Sequence, residues 1–438
     1  MESRPSHRRR RSPGRRRRRK PEQLSTAPSL RHRVAGTTAF LTLIALTTVY
    51  LTLNLSSTTP SASAHARLVP KAAKEPVWDG RTKVLGDGST SYTGPQKDDF
   101  KAVPLKPGEK PPQFVVFSWD GALQGDDKLF SHYTELAKEY NAHMTFFLTG
   151  IYLLPKAKKT LYEPPMHSPG SAAISYPTDE HIRTTLTQLG EAWKEGNEIG
   201  THFNGHFCGD KGGGDWSVEE WESEIDQFFS FVEKWKTNTG YGDLPALPFD
   251  PAREVNGGRA PCLEGQQNLL KAMKATAKKY KWRYDASSAG DFQIWPAKKE
   301  GVWDFPLQML PYEGGKYQGL SMDFNFLYNQ SEGETTGDPA KYPQWQQETV
   351  NSYMAGFDRV YYGSRAPLFI GNHFEDWNGG IYMKSIDQVV KNVCTKKGVR
   401  CVSFRELSDW LDVQKPATLE RLRNLDPAQS PDWSTVVK

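Results

Sequence analysis

Cysteine is scarce in this chain, with four in 438 residues. No two of them stand as C-x-x-C, which excludes a metal site built from four thiolates. No segment repeats at a fixed period, which excludes a solenoid or a propeller. Apolar residues make up only 37% of the chain, but that average hides two unusual stretches at the start. The net charge of +5 is equally misleading. Residues 1–33 hold 13 Lys and Arg against two Glu, a net of +11, so the rest of a +5 chain carries −6. The basic run "HRRRRSPGRRRRRKP" has no apolar face and reads as a disordered cytoplasmic tail. With the positive charge confined to this tail, nucleic acid drops out as a partner.

Charge is missing altogether from residues 34–55, "VAGTTAFLTLIALTTVYLTLNL". As a helix this stretch is long enough to cross a hydrocarbon core of about 30 Å. It reads either as a retained membrane anchor or as a long signal segment cut near Ala62 and Ala64. In both cases the positive flank stays inside and the remaining chain lies outside the cytoplasm. All four cysteines fall in that exported part, where an even count predicts two disulfides. The short loop between Cys394 and Cys401 makes that pair the expected one and leaves Cys208–Cys262 as the other.

Residues 56–110 are rich in Ser, Thr, Pro, Lys and Gly and read as an extracytoplasmic linker. Regular structure is expected from about Gln113. From there apolar strand-like runs ("QFVVFSW", "HMTFFLTG", "NEIGTHF", "APLFIGNHF", "VRCVSF") alternate with helix-like segments. One helix should start at Ser217, with Glu220 completing a capping box. This alternation predicts an α/β domain over 111–412 with a parallel sheet, barrel or open, followed by a tail over 413–438. In a barrel the chemistry sits at the C-terminal ends of the strands. The polar residues expected there are Asp120, His202, His206, Arg259, Asp285 and His373. His202 and His206 are four apart, but no Glu follows His202, and Asn204-Gly205 is turn chemistry, so a helical H-E-x-x-H protease site is excluded. Two imidazoles at a strand end with a separate carboxylate, Asp120, match the three-ligand pattern of catalytic zinc.

In order along the chain, "SWDG", "EIGTHFNGH", "GRAPCLEG", "YDASSAGDFQIWP" and "LFIGNH" resemble the motifs of the polysaccharide deacetylase family, the NodB-homology carbohydrate esterases. The resemblance spans about residues 113–410. It implies a distorted (β/α) barrel that hydrolyses N-acetyl groups on a cell-wall or chitin-like glycan as a monomer. It further implies a divalent metal, zinc being the expected one, held by Asp120, His202 and His206. It implies His373 as general acid, Arg259 as the residue that orients the base, and Asp285 or Asp291 as the residue that tunes His373. The family's T-F-D-D-G reads F-S-W-D-G here. Anchored on the glycine, Asp120 falls on the metal-binding Asp and Trp119 on the base. The base would then come from Glu375, Asp376, Asp126 or Asp127, or metal-bound hydroxide would serve without one. The alternative is a glycan-binding relative that no longer hydrolyses.

Overall fold

A computed structural model describes residues 78–97 and 100–438. The expected tail and apolar segment lie outside these residues, as do residues 56–77 and 98–99 of the expected linker. Among the described residues no helix is long and apolar enough to cross a membrane.

The described chain opens on a hairpin, β1 (Lys83–Leu85) and β2 (Thr90–Tyr92). The linker expectation is therefore corrected over its second half. Ser91 N–H donates to the Leu247 carbonyl (2.8 Å), and the Trp235 indole donates to the Ser89 carbonyl (2.6 Å). These bonds tie a polar stretch to the body, a tertiary effect that composition does not signal.

Strand β3 (Gln113–Asp120) is buried along all eight residues, as a central parallel strand should be. After α1 (Leu129–Glu139) comes β4 (Thr145–Leu148), then α2 (Asp179–Lys194), β5 (Glu198–Thr201) and α3 (Val218–Glu233). The capping box at Ser217 and Glu220 is present at the start of α3. The chain continues through α4 (Gln266–Thr276), β6 (Tyr284–Asp285), β7 (Ala297–Lys299), β8 (Val302–Asp304), β9 (Met309–Tyr312) and β10 (Tyr317–Leu320). It ends with α5 (Asp323–Ser331), α6 (Tyr342–Tyr361), β11 (Leu368–His373), α7 (Trp377–Cys394), β12 (Val399–Cys401), α8 (Phe404–Asp412) and α9 (Pro416–Arg423). Residues 413–438 are not a loose tail, because Leu419, Leu422, Val436 and Val437 are buried in the core.

The central sheet runs β11-β3-β4-β5, all parallel, with β12 also paired to β3. Single hydrogen bonds carry the ladder further. Arg259 N–H bonds the Thr201 carbonyl, Ala286 N–H the Gly258 carbonyl, Phe305 N–H the Asp285 carbonyl, and Gly371 N–H the Ser321 carbonyl. This path runs from β5 past β6 and β8 and returns to β11, as a distorted barrel requires. Glycine is needed on it. A Cβ on Gly258 would sit 2.5 Å from Thr201, and one on Gly257 would sit 2.5 Å from the Tyr284 ring.

The pleat of β3 divides its side chains between two cores. Val115, Phe117 and Trp119 pack in the larger core together with helix residues, whereas Phe114 and Val116 join Phe147, Tyr284, Phe305 and Phe369 in a second core. By the same alternation Ser118 and Asp120 point to that second, inner side.

Candidate active site

Because the strands are parallel, Asp120, His202, Arg259 and His373 come to the same rim. Register places His373 directly beside Asp120 on neighbouring strands. Asp120 is 5% exposed and Arg259 1%. Arg259 Nη1 donates to Asp120 Oδ1 (2.8 Å), its Nη2 to Ser118 Oγ (2.9 Å), and its Nε to the Ala286 carbonyl (3.2 Å). Ser118 Oγ donates in turn to the Ile370 carbonyl, leaving a lone pair for the guanidinium. Burial alone would raise the Asp120 carboxyl, but the Arg259 charge, helped by His202 and His373, holds it below the usual carboxylate range. Asp120 is therefore ionised and oriented.

This geometry corrects the frame read from the glycine. Trp119 is fully buried on the other side of β3, packed against Tyr133, Phe146 and Phe374 at ring distances of 4.3, 5.6 and 6.2 Å. It stands in no catalytic position, and the carboxylate that Arg259 orients is Asp120 itself. In the opposite frame, which aligns Ser118-Trp119-Asp120 with the family's T-F-D, the second Asp falls on Gly121.

His373 is tuned by a residue the sequence reading missed. Its Nδ1 lies 2.7 Å from Asp323 Oδ1, and its backbone N–H donates to Asp323 Oδ2 (2.7 Å). Burial pulls the imidazolium down, but the charge and hydrogen bond of Asp323, aided by Asp120, outweigh it and carry His373 up to about 9. Asp285 and Asp291 do not fill this role. Asp291 is exposed. Asp285 is buried and accepts from Ser287 Oγ (2.6 Å) and Gln266 Nε2 (2.7 Å), while Ser287 Oγ accepts from Ala260 N–H (2.7 Å). Asp285 thus props the segment that carries Arg259. Asp323 carried no sequence signal, since it opens α5, some 50 residues before the histidine it serves, in a segment with no motif.

His202 is 2% exposed. Its Nδ1 is 2.8 Å from the Arg259 carbonyl, an acceptor only, so this nitrogen carries the proton. Burial pushes the ring down to about 3, against the pull of Asp120, so the ring is neutral. Its Nε2 is buried, holds a free lone pair and has no hydrogen-bond partner. Such a nitrogen suits a metal ligand whose other ring nitrogen is fixed by a carbonyl. The His206 ring centre lies 5.1 Å from that of His202. The turn between them is not helical, and its fold depends on Glu224 of α3, a second residue the sequence reading missed. Glu224 Oε1 accepts from Asn204 N–H (2.9 Å), both its oxygens accept from the Tyr162 hydroxyl (3.1 Å), and its carbonyl accepts from Asn204 Nδ2.

The residues fit an ion held by two imidazoles, but the expected trio does not assemble. Among the described residues, the one group of three or more His, Cys, Asp or Glu whose ligand atoms all lie within 4.8 Å of one another is His206, Cys208 and Cys262. Asp120, His202 and His206 are not such a group. The two sulfurs of the group that is found are joined in a disulfide, Cys208–Cys262, and the second expected bridge, Cys394–Cys401, is also present.

Asp120, His202, His206 and His373 line a cleft of about 400 Å³. Tyr152, Phe324 and Trp377 add flat rings to the wall, and the Trp377 ring lies 5.3 Å from that of His373. Glu375 and Asp127 also reach the cleft, whereas Asp126 is exposed and pairs with His181 (3.0 Å).

No family profile and no curated protein matches the sequence. Solved structures do resemble it. A Mycobacterium smegmatis protein assigned as a polysaccharide deacetylase is 13% identical, with a TM-score of 0.41 over 70% of this chain and 94% of that chain. The peptidoglycan deacetylase PdaC from Bacillus subtilis is 14% identical, with a TM-score of 0.35 over 69% and 92%. Wild-type BA3943, a CE4 family pseudoenzyme from Bacillus anthracis, is 10% identical, with a TM-score of 0.34 over 73% and 72%.

Proposed function

We propose that the chain is an exported hydrolase that removes N-acetyl groups from a cell-wall or chitin-like polysaccharide. One observation carries this reading. Asp120, kept ionised by Arg259, and His373, kept protonated by Asp323, stand side by side on adjacent strands at the wall of one cleft. A base and an acid with their proton affinities pushed apart are what amide hydrolysis needs. Asp120 takes a proton from the attacking water. Water oxygen bonds to the amide carbon, His373 gives its proton to the leaving nitrogen, and the C–N bond breaks to a sugar amine and acetic acid, which loses its remaining proton to solvent and leaves as acetate. Arg259 fixes the base, the proton held on Asp120 then passes back to His373, and the Asp323 charge favours that reprotonated form. The rings of Tyr152, Phe324 and Trp377 offer flat apolar faces to a sugar. A divalent metal, zinc by ligand preference, would be held by His202 and His206 and would polarise the carbonyl when bound.

The test is acetate release by the full chain from peptidoglycan and chitin oligomers, with and without added Zn²⁺. Release that disappears in His373→Ala supports the proposal. A chain that binds these oligomers but releases no acetate under either condition is instead a glycan-binding relative. Among the described residues no third His, Cys, Asp or Glu joins His202 and His206 as a ligand group, which favours that second reading, and the pairing of Asp120 with His373 on adjacent strands opposes it.

A further inference from the structure

The turn that carries His206 runs directly into Cys208. Its disulfide partner, Cys262, lies three residues past Arg259. Cys208 Sγ is 3.8 Å from His206 Nδ1, and a ring nitrogen of His206 and both sulfurs lie within 4.8 Å of one another. As a disulfide the sulfurs carry no charge and bind no cation. As thiolates, with the imidazole, they would form a Cys₂His set with a fourth position open to water, a pattern that suits zinc-like ions.

We propose that this disulfide masks a metal site, and that reduction turns His206, Cys208 and Cys262 into ligands for one zinc-like divalent cation. The inference does not depend on the hydrolase reading. The reductant is a dithiol. Its two thiols supply two electrons and two protons, the Cys208–Cys262 bond breaks, and the dithiol closes to its own disulfide. The cation then displaces two protons from the new thiols into solvent. Cys262 is exposed, so a dithiol can reach the bond.

Both loops are held without the disulfide, so the ligands stay near one another after reduction. Gly209 N–H donates to Glu264 Oε2 (2.9 Å), which links the residue after Cys208 to the segment after Cys262. Gly213 N–H bonds the Phe207 carbonyl (3.2 Å), and the Trp221 indole donates to the Gly213 carbonyl (3.2 Å). On the other side, Ala260 N–H is fixed by Ser287 Oγ (2.7 Å). Two thiolates on one zinc at about 2.3 Å each stand about 3.8 Å apart, which side-chain rotation can supply. Among the described residues, Cys394–Cys401 has no third ligand atom within the same reach. The proposal also predicts a consequence for the cleft, because a His206 engaged by the thiolate site no longer pairs with His202.

The probe is Co²⁺ alone, added to the full chain before and after anaerobic dithiol treatment and removal of the dithiol. The expected result is a sulfur-to-cobalt charge-transfer band in the near ultraviolet at one equivalent, in the reduced protein only. The band should be lost in the Cys208→Ser, Cys262→Ser double variant and shift or weaken in His206→Ala, which keeps both cysteines. No band in the reduced wild-type chain overturns the proposal. So does a band that persists in the double variant, since it would then come from Cys394 and Cys401. A band unchanged in His206→Ala also overturns it. If the double variant fails to fold, wild type and His206→Ala alone still decide the matter.

Discussion

Replacing Asp323 with Asn keeps the shape of its side chain but removes the charge that sustains His373 as an acid. In the wild-type chain His373 is carried up to about 9, against a burial effect that by itself lowers it. That rise from an ordinary value near 6.5 corresponds to about 3 kcal/mol in favour of the imidazolium. Without the Asp323 charge, burial remains, and His373 should titrate at or below about 6.5. At pH 8 the protonated fraction then falls from about nine-tenths to about one-thirtieth, so acetate release should drop roughly 30-fold. At pH 5.5 both proteins hold the proton, and their rates should nearly agree. The basic limb of the rate profile thus moves from about 9 to about 6.5, with little change in the plateau below it. The same shift acts on stability. A histidine raised in the folded state contributes stability that is fully present below about pH 6.5 and is lost as pH rises through about 9. Denaturant unfolding of Asp323→Asn should therefore lack the decline that the wild type shows across that window. Proton NMR of the His373 ring reads the midpoint directly and needs no substrate. An Asp323→Asn midpoint equal to that of the wild type would refute the reasoning.

Three further outcomes follow from the same geometry. Asp120→Asn should slow acetate release by about 100- to 10,000-fold while Zn²⁺ binding persists through His202 and His206; loss of the metal on calorimetry would restore Asp120 as a ligand. Gly121 lies in the cleft wall at φ +71°, and a Cβ there would have the Tyr152 hydroxyl at 3.6 Å and Thr149 Oγ1 at 4.0 Å. Gly121→Asp, a residue that tolerates left-handed backbone, should tighten Zn²⁺ binding by about tenfold or more, and unchanged affinity in a chelator competition would count against a metal position there. Cys208–Cys262 closes a loop of 54 residues and Cys394–Cys401 one of 7. By loop closure their removal should cost about 4 and about 2 kcal/mol respectively, and equal midpoints for the two double-Ser variants in urea would contradict that order.

Local patterns in the sequence were enough for the strand–helix alternation, the parallel sheet, the Ser217 capping box and both disulfides. Buried strands, caps and short cysteine loops leave marks within a few residues of themselves. The same local reading placed Asp120, Arg259 and His373 at strand ends, because a carboxylate, guanidinium or imidazole that closes an apolar run stands out. It failed on Trp119 because a motif aligned on its glycine says nothing about which face of a pleated strand a residue takes. A shift of one position moves a side chain from the inner core to the helix side of the sheet. It also took residues 78–92 and 413–438 for a linker and a tail, since their anchors are bonds and apolar contacts to distant segments.

Composition and order along the chain determined what kinds of side chain reach the rim. Which carboxylate serves which partner was settled by the tertiary structure alone: Asp120 with Arg259, Asp323 with His373, Glu224 behind the histidine turn, and Asp285 withdrawn to a supporting role. Charges and hydrogen bonds act over a few ångströms of space, and the fold brings together residues as far apart in sequence as Asp120 and Arg259, separated by 139 positions, or Ser118 and Ile370, separated by 252.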